Sequence, residues 1–170
     1  MIKEEIKKIQ GYKAFNKGLT NIWEKKFEVG KKYKVTDQYK DYSYHFSDYL
    51  EDIFVFYKDK DIEVCEVIGS GDIIENYNSY YDVTIIASSE IEIIKVMSRE
   101  EIINYFLSMT GYYSKRIEKF LIRFHLTNEE IKLFIDKFKN NEQIMDTIRY
   151  YYLSDKEVYE RKYRTLKQTK

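Results

Sequence analysis

His45 is the side chain best suited by type to acid–base chemistry. It stands in Tyr44-His45-Phe46, close in the chain to Asp37, Asp41 and Asp48. An imidazole oriented by a carboxylate is a general base; an imidazole that merely packs at the end of a loop is the plainer reading. His125 falls at the end of an expected helix, where a cation complements the helix dipole. Two histidines far apart and one cysteine, Cys65, give no metal-ligand spacing and no disulfide. Cys65 lies in an apolar run and reads as a small buried hydrophobe. Gly69-Ser70-Gly71 invites a phosphate-loop reading, but the lysine of such a loop is missing and Asp72 and Glu75 follow. A hairpin turn is the better expectation. No Gly-x-Ser-x-Gly nucleophile motif occurs. The residues point away from an enzyme and imply no cofactor and no metal.

The segment DIIENYNSYYD offers a different chemistry. It sets Asp72, Glu75 and Asp82 beside Tyr77, Tyr80 and Tyr81. Tyrosine gives a large contact area, one hydroxyl and little rotamer entropy, which suits it to protein interfaces. Carboxylates around it can stand in for phosphates on a basic groove. The bland reading is a polar hairpin loop with its rings folded back on the sheet. Charge is segregated along the chain: residues 59–110 hold 3 basic against 11 acidic residues, between basic flanks. Neutralisation within the fold is one explanation of that pattern. At the other end, Arg161, Lys162, Arg164 and Lys167 would touch phosphates if the last helices formed a helix-turn-helix, although no glycine follows Gly111 to make the turn.

These residues need elements to hold them. With 170 residues, 44% of them hydrophobic, the chain can build a core. It has no proline, so Gly, Asn, Asp and Ser must make its turns. No apolar run approaches a membrane span, and the N-terminus lacks a signal-peptide core, so a cytoplasmic protein is expected. Residues 3–10 predict a short amphipathic helix closed by Gly11. Residues 12–35 predict two or three short strands, with turns at Asn16-Lys17-Gly18 and Gly30-Lys31. Asp48 with Glu51 has capping-box spacing, and Leu50, Ile53, Phe54 and Tyr57 form a helical stripe to about Lys58. Between Ile62 and Met97 lie three β-branched runs in which Glu63 and Glu66, and again Glu92 and Lys95, are out of phase. A bulge would explain both. Capping boxes at Ser98–Glu101, Thr127–Glu130 and Ser154–Glu157 then open helices, with further stripes at 114–125 and 144–152. The expected fold class is α+β: a small, mostly antiparallel sheet with one or two packed helices over residues 1–110, then three to four short helices in a C-terminal subdomain over 111–170.

Lys13-Ala14-Phe15, the pattern Phe27-Glu28-Val29-Gly30-Lys31-x-Tyr33, the Tyr44-His45-Phe46 loop before a helix, and Glu63-Val64 opening a strand resemble a poorly characterised family of small phage and prophage proteins of low-GC bacteria. The resemblance spans about residues 12–97, ending at the capped helix after Met97. The family pattern has Gly before the His-Phe pair and Cys after it; here Tyr44 and Ser47 stand in those places, which argues against shared cysteine or metal chemistry. The resemblance implies no activity. The leading expectation is a phage-type inhibitor of bacterial immunity, an anti-CRISPR being one form, which occludes a basic nucleic-acid surface of an effector nuclease through the Asp72–Asp82 segment. The alternative is a nucleic-acid-binding regulator using the basic C-terminal helices. An enzyme using His45 ranks third.

Overall fold

The computed structural model describes residues 7–21, 24–35 and 43–153. The chain forms two compact units, Met1–Ile102 and Ile103–Lys170. The first is built on an antiparallel sheet of β1 (Ile9–Asn16), β2 (Lys32–Lys34), β3 (Tyr44–Phe46), β4 (Ile62–Asn78) and β5 (Val83–Val96). Strand order is β1-β4-β5-β2, with β3 beside β2 along the same edge of β5. The α+β class is therefore correct, and the second unit supplies the helical subdomain.

The β-branched runs at 62–97 make two long strands rather than three. Gly69-Ser70-Gly71 is not a turn. It lies inside β4, where the register passes from Ser70↔Glu90 to Ile73↔Ser88. Two residues of β4 there face one of β5, Gly71 takes φ +78°, and the Asp72 N–H bonds to Ser89 Oγ at 2.9 Å. A second irregularity separates Glu66↔Lys95 from Val67↔Ile93 and leaves Ile94 as the extra residue. That extra residue explains the broken alternation, because it puts Glu92 and Lys95 on one side of β5. Lys95 then reaches Glu66 at 3.3 Å.

Closure comes from β3. Phe46 pairs with Ile86 of β5, and the next residue, Ser47, exchanges two backbone hydrogen bonds with Tyr12 of β1 at 2.6 and 2.9 Å. The pairing thus runs β1-β4-β5-β3 and back to β1, curling the sheet around Phe46. Two glycines make room for that ring: a Cβ on Gly11 or Gly69 would collide with it. Phe15, Phe27, Cys65, Val67, Ile91 and Ile93 complete this core.

Several local expectations need correction. Ile9, Gln10 and Gly11 belong to β1, not to a helix, because eight consecutive pairs to β4 outweigh helical propensity; residues 3–6 lie outside the described residues. Helix α1 (Leu50–Phe56) is capped at Tyr49 without a side chain, so Asp48 and Glu51 form no capping box. Instead Ser47 Oγ donates to buried Asp52 at 2.8 Å and accepts from the Tyr49 N–H. Leu50, Ile53 and Phe54 are buried as the stripe requires, while Tyr57 follows the helix end and is exposed. The turns at Gly18 and Gly30 are present, both at positive φ.

Helix α2 (Arg99–Ser108) carries the Ser98–Glu101 box in full. Lys95 and then Ser98 hold the Glu101 carboxyl down at about 2. In the second unit, α3 (Ser114–Arg123) buries Ile117, Phe120 and Leu121. Helix α4 (Asn128–Phe138), opened by the reciprocal Thr127–Glu130 box, buries Ile131, Phe134 and Phe138. Helix α5 (Glu142–Ile148) is capped by Asn141, whose side chain accepts from the Ile144 N–H. Phe106 stacks on Phe120 at 3.8 Å between ring centres, and Phe120 on Phe124 at 4.7 Å. Tyr152 donates its hydroxyl to the carbonyls of Leu121 and Phe124. The Ser154–Glu157 box and the last expected helix lie outside the described residues.

Candidate functional site

Two features of the first unit have the makings of a site. One is the distal arm of the β4–β5 hairpin. Beyond Gly69, β4 loses β1 as a partner, and from Ile73↔Ser88 to Asn78↔Val83 the two strands run on together. Asn78 Oδ1 accepts from the N–H groups of Tyr80 and Tyr81, at 3.1 and 3.2 Å, which folds the tip. Asp82 closes it in the left-handed region at φ 55°, and Tyr77 donates its hydroxyl to Asp82 Oδ1 at 2.8 Å. The rings do not fold back. Tyr77 is 65% exposed and Tyr80 86%, while Tyr81 meets Phe56 of α1 edge-on at 5.0 Å. Tyr80 and Tyr81 are perpendicular at 4.8 Å. The tip is thus an exposed aromatic cluster that includes Phe56 and Tyr57, neither of which tyrosine counting in 72–82 reveals.

The carboxylates are less concentrated than their spacing suggests. Asp82 is at the tip. Asp72 sits at the bulge, roughly 20 Å away at about 3.3 Å per strand residue, and on the opposite face from Glu75 and Tyr77. Glu75 pairs with Lys7 at 2.9 Å. Much of the acidic centre is neutralised in the same way: Glu90 by Lys32 and Lys34, Glu66 and Glu101 by Lys95, Asp59 by Arg99. Arg161, Lys162, Arg164 and Lys167 lie outside the described residues.

The second feature is a cavity of about 1140 Å³ bounded by β1, β3, α1 and the start of β5. His45 is on its wall. Its Nε2 lies 3.4 Å from Ser43 Oγ, and burial and then Lys13 lower its pKa. Asp37 and Asp41 lie outside the described residues, and among the described residues no carboxylate bonds the ring. Lys13 is the unexpected neighbour. It shares the inward face of β1 with Gly11 and Phe15, its Nζ donates to the His45 carbonyl at 2.6 Å, and it lies 5.5 Å from the centre of the Phe15 ring. The residue is partly exposed, and burial lowers its pKa to about 8. Cys65, opposite it in register, is fully buried and pushed up to about 12 by the same desolvation. Lys25 sits among three rings, 5.3–5.6 Å from the centres of Phe27, Tyr33 and Tyr44, with its Nζ 3.2 Å from the Tyr44 hydroxyl. Sequence reasoning missed both lysines. For Lys13 a clue exists: in Gly11-Tyr-Lys-Ala-Phe15, strand alternation puts it between two core positions.

Among the described residues no group of His, Cys, Asp and Glu could hold a metal ion, and no helix is long and apolar enough to cross a membrane. No curated protein and no solved structure matches the chain. A family model does match, over residues 9–105, which takes in the whole sheet and most of α2. On that match, covering more than half its length, the chain belongs to the family described as a domain of unknown function, DUF7666.

Proposed function

We propose that this is a non-enzymatic, phage-type protein-binding module that acts through the tip of its long hairpin in the cytoplasm of a bacterial host. The observation that carries the reading is the exposure of Tyr77, Tyr80, Tyr81 and Phe56 at the end of an arm that runs on beyond the pairing with β1. Aromatic side chains held rigidly in solvent are the usual anchors of protein interfaces. Asp82, the carboxylate at the tip itself, favours a basic contact on the partner. A nucleic-acid groove of a bacterial defence protein, such as a CRISPR effector nuclease, is the partner class proposed.

The test is a binding screen of the full chain against purified effector nucleases, by gel filtration and by inhibition of target cleavage. Tyr80→Ala should weaken binding about 30-fold, the effect of losing an interface anchor of about 2 kcal/mol. Reversing Asp72, Glu75 and Asp82 to Lys should abolish inhibition. Inhibition that survives both changes would refute docking through the arm.

A further inference from the structure

Two cations on the cavity wall, Lys13 and Lys25, have partners of an unusual kind. Among the described residues, no carboxylate pairs with Lys13 or Lys25; their partners are a carbonyl, a hydroxyl and ring faces. Lys34, also on the wall, shares Glu90 with Lys32, and Asp52 is bonded by Ser47. Enclosing an ammonium group without an opposite charge is unfavourable, and the depressed pKa of Lys13 expresses that cost. An anion entering the cavity would offset it. The rest of the wall combines the apolar side chains of Phe15, Phe27, Phe46 and Ile53 with polar ones, the amides of Asn16, Asn21 and Asn76 among them. That is the make-up of a small-molecule pocket: apolar walls and a few polar groups that fix orientation.

We propose that this cavity binds a small organic phosphate, its dianionic group neutralised by Lys13 and Lys25 and its organic part held against the apolar wall. Two single positive charges match a phosphate monoester, which carries close to two negative charges at neutral pH. The size of the cavity leaves room for more than an inorganic ion. Neither lysine belongs to the hairpin arm, although Asn76 of the arm and Phe56 beside its tip also line the cavity.

Titration calorimetry with adenosine 5′-monophosphate, ribose 5-phosphate, adenosine and inorganic phosphate tests the proposal. At least one monoester should bind, more tightly than inorganic phosphate, and adenosine should not. Lys25→Met should weaken that binding about tenfold or more, the loss of a charge-assisted contact to the phosphate, and Lys25→Arg should retain most of it. Repeating the titration at pH 8 in buffers of different ionisation enthalpy should show roughly half a proton taken up, as Lys13 becomes fully charged against the ligand while the neighbouring His45 and Cys65 stay neutral. No binding of either monoester at ~5 mM would overturn the site, that being weaker than metabolite-scale affinities. Binding indifferent to Lys25→Met, with circular dichroism showing an intact fold, would overturn it equally. Inorganic phosphate binding as tightly as both monoesters would overturn the organic half of the assignment.

Discussion

Replacing Lys13 by methionine isolates the thermodynamics of an enclosed amine. In the unfolded chain the ammonium titrates near 10.5; in the folded protein it titrates at about 8. Below pH 8 both states hold the proton and the folding penalty is constant. Between pH 8 and 10.5 the unfolded chain carries a proton that the folded chain lacks, so wild-type stability rises with pH relative to the variant. The full shift corresponds to about 3 kcal/mol at 1.36 kcal/mol per pH unit. Lys13 is partly exposed, so solvent screening reduces this, and a change of about 1–2 kcal/mol between pH 8 and 9.5 is the expected outcome. The hydrogen bond to the His45 carbonyl opposes the effect of burial, because the ammonium donates more strongly than the neutral amine would. Cys65 pulls the other way above pH 9, favouring the unfolded thiolate, but it does so in both proteins and largely cancels in the difference. Urea denaturation followed by circular dichroism at pH 7, 8, 9 and 9.5 gives the two curves. Curves that stay parallel over this range would show that Lys13 ionises in the folded protein as it does in water, and the reasoning would fail.

Gly69→Ala should cost at least 2 kcal/mol in urea denaturation, because the added methyl meets the Phe46 ring wedged inside the sheet; Gly18→Ala, where only the positive φ resists, should cost about 1 kcal/mol. Phe46→Ala should destabilise by about 3–5 kcal/mol and broaden the amide spectrum of β1 and β3. Thr127→Ala removes one half of a complete capping box and should cost about 1 kcal/mol, measured by thermal denaturation. Cys65 should stay unreactive toward a thiol reagent in the folded protein at pH 8 and react at once in denaturant, since it is buried and its pKa is raised.

The helices were legible in the sequence because their determinants are local. Ser98 and Glu101, or Thr127 and Glu130, are three residues apart and satisfy one another without help from the rest of the fold. The sheet was legible in class but not in detail. Gly69-Ser70-Gly71 has the composition of a turn, and only the closeness of Phe46 and the pairing of Asp72 with Ser89 make it a bulge. Ile9 and Gln10 are strand through their pairing with residues near Gly69, a relation that no window of ten residues contains. The spacing singled out Tyr77, Tyr80 and Tyr81 but left their exposure open, between an interface and rings folded back on the sheet. Phe56 and Tyr57 joined them because α1 ends beside the tip, which depends on tertiary structure alone. The cavity was the least visible feature: Lys13, Lys25 and His45 come from three separate segments, and the role of each depends on the charges it does not meet.

The strand circuit also constrains the order of assembly during synthesis. Asn16 pairs with Ile62, and Ile9 with Gly69, so β1 leaves the ribosome some 46 residues before the nearest of its partners in β4 exists. At roughly 5–20 residues per second it waits several seconds with its hydrogen-bonding groups open. The β4–β5 hairpin, joined by a short turn, can form as soon as it emerges, and β1 and Ser47 must then dock on either side to seal Phe46 within. A nascent chain stalled before residue 62 would present β1 to chaperones without its β4 partners, and one released past residue 96 should close quickly.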